Sequence, residues 1–251
     1  MAADEDEDPT RRRLDGQVAL VTGAAVRIGR EIASVLAEEG AGVVVHYRRS
    51  EQQARELRSQ LAARGARAWT MGADLDDPNE AERLVDRVLE VTHRLDILVN
   101  SASIFPASRL LTLELEGLLQ NLRVNAWAPL VLSRRMAGAC AEGRIVNLLD
   151  SRLAGYPREH AGYAIAKLVL WHLSDMLALE LAPRFTVNAV APGLILPPSG
   201  EGETYLQDKA RDIPLERAGS PQDVARAVLF LVQSPFITGQ TVFVDGGGHL
   251  L

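Results

Sequence analysis

The sequence predicts a single α/β domain: a doubly wound parallel sheet of about seven strands with helices on both faces. Three observations carry that expectation. Short apolar runs recur along the chain, beginning with 18–21 and 43–45, and suit strands buried on both faces. Stretches with apolar residues at helical spacing separate them, as in Ile32, Ala33, Val35 and Leu36. The first run passes directly into a glycine turn and then a helical pattern, the strand–turn–helix of a Rossmann-type dinucleotide cradle.

Composition narrows the class. A chain of 251 residues, 47% hydrophobic, can build one sizeable core. A net charge of -6 argues against nucleic acid as a partner. No apolar stretch approaches the roughly 18 residues of a membrane span. The acidic N-terminus lacks a signal-peptide pattern, so the cytoplasm is the default location. The lone Cys140 excludes an internal disulfide, and no cysteine cluster suggests a metal. Residues 1–13 run from acidic to basic and read as a flexible tail, which leaves 14–251 as one cofactor-binding and catalytic domain.

The cradle reads Gly-x-x-x-Arg-x-Gly, with Gly23, Arg27, Ile28 and Gly29 in the turn. At the carboxyl end of the second strand stand His46, Tyr47, Arg48, Arg49 and Ser50, where the adenosine ribose is expected. NAD-specific sites place an acidic residue there; two arginines and a serine instead suit a 2'-phosphate, so NADPH is expected over NADH. A solvated basic turn is the alternative, and Ser50 can also cap the helix over 51–63. A third strand over 66–71 leads to Asp74 and Leu75. Asp74 either accepts from an adenine amine or forms an Asx turn before the helix that begins near Pro78 and extends to about His93, which suits a charge at a helix C-terminus.

The fourth strand, 95–99, ends in Asn100, Ser101, Ala102 and Ser103, small groups at a ligand-facing edge. Phe105 either holds a flat ligand or anchors its own loop. A long helix follows with Asn125 inside it, a polar group that needs a backbone or water partner. Pro129 is expected to bend it, and Trp127 and Leu130 suit either core or a subunit interface. The fifth strand, 144–149, ends at Asp150-Ser151. Tyr163 and Lys167, at i and i+4, share a helix face, and an ammonium beside a phenol tunes it for proton transfer. The sixth strand, 185–190, exits through Pro192 and Gly193 into an irregular stretch, 194–217, a candidate substrate lid with a short helix near 204–210. A helix from Ser220-Pro221 to about 232 and a strand over 241–244 complete the chain.

With cradle, 100–103, Asn125, Tyr163-x-x-x-Lys167 and Pro192-Gly193 in this order, the chain resembles the classical short-chain dehydrogenases/reductases over roughly 14–251. The resemblance implies that Tyr163 donates a proton, that Lys167 holds the nicotinamide ribose and lowers the tyrosine pKa, and that Asn125 supports a relay water. Thr238 and Gly239 match a family turn. Three departures are informative: Arg27 replaces a cradle glycine, 100–103 reads Asn-Ser-Ala-Ser, and Asp150 stands at the catalytic serine position. They are similar to the pteridine reductase branch. That likeness implies Arg27 near the cofactor phosphates and pterin, Ser103 and Phe105 on the pterin, and Asp150 working with Tyr163. Phe105 would sandwich the flat ring against nicotinamide. Leu194 opens the substrate loop, and the 46–50 segment resembles the branch's NADPH-binding one.

The expected reaction is NADPH-dependent reduction of a dihydropterin, or dihydrofolate, at N5=C6. An ionised Asp150 would repel a developing oxyanion, which disfavours a carbonyl or 3-oxoacyl-thioester substrate, the alternative. A homotetramer paired through helices at 125–136 and 168–181 is also implied, with no nucleic acid, membrane or metal partner.

Overall fold

Val18–Val21 (β1) is apolar throughout and fully buried, and the sheet is built outward from it. Gly42–Tyr47 (β2) pairs with it on one side, with Val18 beside Gly42 and Val21 beside Val45. Ile97–Asn100 (β4) pairs on the other side, with Val21 beside Val99. Ala68–Gly72 (β3), Gly143–Leu148 (β5), Phe185–Pro192 (β6) and Thr241–Val244 (β7) complete a sheet of 7 parallel strands in the order β3-β2-β1-β4-β5-β6-β7. The order reverses between β1 and β4, so the chains leaving their carboxyl ends diverge and open a crevice. This computed structural model describes residues 13–251 apart from 156–157 and 199. The expected tail therefore lies outside the described residues except for Arg13, which donates to Gln233 Oε1 at 3.4 Å.

Helices cover both faces because each carries one apolar stripe. Arg27–Glu38 (α1), Glu51–Ala63 (α2) and Pro221–Val232 (α8) bury Ile32, Leu36, Leu57 and Val228 against one face. Pro78–Thr92 (α3), Ala128–Ala139 (α5) and Ala161–Glu180 (α6) bury Leu84, Leu132, Met136 and Leu177 against the other. Leu115–Leu122 (α4) leads into α5, and Glu203–Ala210 (α7) lies within 194–217.

Boundaries differ from expectation where the backbone decides them. The helix after the cradle begins at Arg27, whose φ of 55° is the left-handed conformation that a glycine adopts without cost. The long helix is not a bent α-helix: Arg123–Trp127 form a π-helical turn between α4 and α5. Pro129 has no N–H to give the carbonyl four residues back, that of Asn125, and the helix widens there. Ser50 does not cap α2 through its side chain; with φ -89° and ψ 53° it lacks the extended conformation of a capping residue. His93 closes α3 through its backbone instead, at φ 60°, with its N–H on Leu89 O at 2.9 Å.

Candidate active site

The crevice begins at Gly23. Its φ is 65°, and a Cβ there would lie 2.9 Å from Ala102 Cα. A Cβ on Gly29 would overlap the Gly23 carbonyl, so α1 can pack against the turn only as glycine. Thr22, not anticipated from sequence, ties the two sides of the crevice together: its Oγ1 accepts from Ser101 N at 2.9 Å and Ala102 N at 3.0 Å. His46 braces the turn from β2. Its Nδ1 accepts from Gly23 N at 3.0 Å, and its Nε2 lies 3.1 Å from Ala73 O. The ring is therefore the neutral Nε2–H tautomer, and full burial lowers its pKa to about 4. His46 holds the cradle in shape and is not a cation for a phosphate.

Gly23 and His46 help to wall a cleft of ≈ 510 Å³. Gly23, Arg27, Ile28, His46, Tyr47, Arg48, Arg49, Ser50, Asp74, Leu75, Ser101, Ala102, Ser103, Tyr163, Lys167, Pro192 and Gly193 all line it, as expected of cofactor-binding positions. Gly29 and Asn100 do not. Gly29 is behind the turn, and Asn100 is 2% exposed, donating to Asn147 Oδ1 at 2.8 Å as a strut between β4 and β5. Arg48 pairs with Asp74 at 2.8 Å. The same Asp74 accepts from Asp76 N at 3.0 Å, the Asx turn that sequence left open. Arg49 is exposed and, among the described residues, makes no ion pair, so its guanidinium is free to bind. The closed glycine turn, the crevice at the sheet reversal and the free arginine fit a phosphorylated dinucleotide.

At the inner end of the cleft, β5 delivers Asp150 and α6 delivers Tyr163 and Lys167. Tyr163 Oη donates to Asp150 Oδ2 at 2.9 Å. Arg152, in the 3-10 turn Ser151–Ala154 and missed in the sequence, grips the same carboxylate through Nε at 3.0 Å and Nη2 at 2.8 Å. Burial would push Asp150 up, but the Arg152 pair prevails and holds its carboxyl below the usual range. Tyr163 moves the other way. Burial and the Asp150 charge push its phenol well above its ordinary value. The lowered tyrosine pKa implied by the family resemblance is thus not what this arrangement produces. Lys167 Nζ is 5.7 Å from the Tyr163 ring centroid and donates to Leu148 O at 2.6 Å, and burial lowers its own pKa to about 8.

Asn125 is wholly buried and does not reach the cleft surface. Its Oδ1 accepts from Ser103 Oγ at 2.8 Å and Ile104 N at 3.1 Å; its Nδ2 donates to Ile104 O at 3.1 Å and Asn121 Oδ1 at 3.2 Å. All four positions of the amide are filled, so its side chain fixes the 103–104 loop and has none left for a relay water. Phe105 also departs from expectation. His160 stacks on it with centroids 3.6 Å apart and is held by Pro106 O at 3.0 Å, so one ring face is taken and the loop-anchoring alternative describes its packing. Its edge still meets Tyr163 at 4.7 Å. Arg27 donates to Pro197 O at 2.8 Å, joining the cradle to the 194–217 segment.

An outer cleft of ≈ 660 Å³ continues from Asp150 and Phe105 between Arg27, Leu194, Tyr205 and His249. Leu194 belongs to this outer cleft and not to the inner one. Among the described residues, no group of acidic, histidine or cysteine side chains could hold a metal ion, and no helix is long and apolar enough to cross a membrane.

The comparisons agree with this geometry. Residues 23–249 match the family described as Enoyl-(Acyl carrier protein) reductase. A 3-oxoacyl-[acyl-carrier-protein] reductase of Synechocystis is 36% identical over 245 residues, covering 93% of this chain and 97% of that protein. FolM alternative dihydrofolate reductase 1 from Brucella canis, complexed with NADP, superposes with a TM-score of 0.91 at 30% identity, covering 96% of each chain. A short chain dehydrogenase from Burkholderia cenocepacia in complex with NADP gives 0.87 at 36% identity, covering 94% of this chain and 99% of the other. The chain belongs to the classical short-chain dehydrogenase/reductase family. Within that family it is an oxidoreductase whose serine position holds an aspartate.

Proposed function

We propose that the protein is an NADPH-dependent pteridine reductase that converts a dihydropterin, dihydrobiopterin or dihydrofolate, to its tetrahydro form. The observation that carries this reading is the Arg152–Asp150–Tyr163 chain of contacts. Arg152 keeps Asp150 ionised, and ionised Asp150 only accepts hydrogen bonds. It offers nothing to a substrate carbonyl oxygen and opposes negative charge developing there. A ring nitrogen that gains a proton makes no such demand. Tyr163, kept protonated by burial and by Asp150, is the acid that delivers it.

NADPH, when bound, supplies the hydride. Gly23 and the start of α1 would take the pyrophosphate, Arg49 and Ser50 the 2'-phosphate, and Lys167 the nicotinamide ribose. Ser103, set by Asn125, and Arg27 would border the pterin. The 194–217 segment, tied to Arg27, would cover the substrate. Likeness to the Brucella FolM protein supports the pterin and folate class.

The second reading, a 3-oxoacyl-thioester reductase, is favoured by the Synechocystis relative. Turnover of dihydrobiopterin, dihydrofolate and a 3-oxoacyl thioester by one protein batch separates the two, and thioester turnover without pterin turnover overturns the first. We also propose a homotetramer. Of the two expected interface segments, 125–136 turns Val131, Leu132 and Met136 inward but exposes Trp127 at 44%, and α6 exposes Met176 at 61% and Leu179 at 83%. Light scattering that gave a monomer at micromolar concentration would exclude it.

A further inference from the structure

The chain after β7 builds a second, separate polar device on the wall of the outer cleft. Asp245 follows β7 directly, and its side chain is 3% exposed. It is packed so closely on the β6 exit that a Cβ on Gly193 would lie 2.5 Å from Asp245 Cβ. Gly246 and Gly247, at φ 66° and 87°, then turn the chain sharply back. The return brings His249 over the same carboxylate. Asp245 Oδ1 accepts from Gly247 N at 3.1 Å, Oδ2 accepts from His249 N at 2.7 Å, and His249 Nδ1 lies 2.9 Å from Oδ2.

That geometry sets the tautomer of the ring. A carboxylate only accepts, so in the neutral imidazole Nδ1 carries the proton and Nε2 is left with its lone pair. Phe243 stacks on the imidazole with centroids 4.1 Å apart at 21°. The ring is thereby held by a buried carboxylate and an aromatic face. It lies in the wall of the outer cleft with Asp150, Arg152, Phe105 and Arg27. Of the cations there, Arg152 is engaged by Asp150 and Arg27 by Pro197 O, while Lys209 enters the same cleft from α7. The reaction already described uses neither Asp245 nor His249.

We propose that His249 is a substrate-recognition residue whose Nε2 accepts a hydrogen bond from a hydroxyl on the substituent of the reacting carbon. The inference rests on the pterin reading. In a dihydropterin reduced at N5=C6, the C6 substituent leaves from the carbon that receives hydride. With N5 at Tyr163, that substituent would lead past Asp150 and Phe105, which the two clefts share, into the outer cleft that His249 borders. Orientation of the imidazole by Asp245 makes the acceptor available without a reorganisation cost at binding.

Steady-state kinetics on dihydrobiopterin, whose substituent carries hydroxyls, and on 6-methyldihydropterin, whose substituent carries none, tests this. His249→Ala should raise KM for dihydrobiopterin by about 3–10-fold, the loss of one neutral hydrogen bond, and change that for 6-methyldihydropterin less than about twofold. His249→Gln, which retains an acceptor, should recover part of the loss. NADPH affinity serves as the control for folding, since His249 is outside the inner cleft. Should His249→Ala not fold, His249→Phe, which keeps the stack on Phe243, is read in the same way. Equal changes for the two substrates, or none, overturn the role of His249 while leaving the pterin reading intact. Failure of the unsubstituted protein to turn over either pterin overturns both.

Discussion

The Tyr163 hydroxyl donates to Asp150 Oδ2 at 2.9 Å, which makes the proton donor and the family's serine position a single hydrogen-bonded unit. The carboxylate keeps the phenol protonated, and Arg152 keeps the carboxylate charged. Four expectations follow from this unit and its surroundings.

Asp150→Ser should fold and bind NADPH, because the change is small and local. Dihydropterin turnover should fall by about 100-fold or more, the scale of a lost acid–base partner. Turnover of an activated ketone should fall less or rise, since a serine hydroxyl can donate to its oxygen. Comparison of kcat/KM for both substrates checks this, and unchanged pterin turnover would falsify the role assigned to Asp150.

Arg152→Ala should alter the pH profile. The guanidinium lowers the Asp150 pKa while burial raises it, so its removal lets the burial effect prevail. The ionised form is lost as pH falls through that pKa. The acid limb of kcat/KM should therefore move to higher pH. Arg152→Lys should move it less. A profile that superposes on that of the unsubstituted protein would remove Arg152 from the proton chemistry.

Arg49→Ala should weaken NADPH by about 10–150-fold, the loss of one charge-assisted contact of about 1.5–3 kcal/mol, and leave NADH nearly unchanged. The free guanidinium at the end of β2 motivates this, in contrast to Arg48, which is held by Asp74. Titration showing equal losses for both cofactors would place the 2'-phosphate elsewhere.

His46 should make the fold acid-sensitive. Its folded pKa, about 4, lies below the ordinary 6.5, so the unfolded chain binds the proton first as pH falls. The stability it contributes is full above about 6.5 and is lost towards about 4. Between pH 7 and pH 5 this removes on the order of 2 kcal/mol. Urea unfolding at the two pH values should show that loss, and His46→Asn, which does not titrate, should show a smaller one. Parallel slopes for the two proteins would assign the acid sensitivity to other groups.

Much of this protein is legible in its sequence because strands buried on both faces must be apolar throughout. The runs at 18–21 and 43–45 announce a parallel sheet, and a glycine turn after the first announces a cradle. Seventeen positions expected at the cofactor line one cleft; most of them follow the carboxyl ends of strands. Asp150 follows β5 in the same way, whereas Tyr163 and Lys167 share one face of α6 at i and i+4.

Tertiary structure alone decided what each polar group is bonded to. Arg152 is two residues from Asp150 in an unremarked turn, and only the fold shows its guanidinium on that carboxylate. The Asn125 side chain reads as an unpartnered amide until the 103–104 loop is seen to fill it. Phe105 carries no sign in its neighbours that His160, brought in by the start of α6, covers one ring face. His249 is set against Asp245 by two left-handed glycines. The physical reason is common to all four. Periodicity reports which face of an element is buried, whereas hydrogen-bond partners come from loops distant in sequence or turned back on themselves, and their pairing is settled only when the packed sheet brings those loops together.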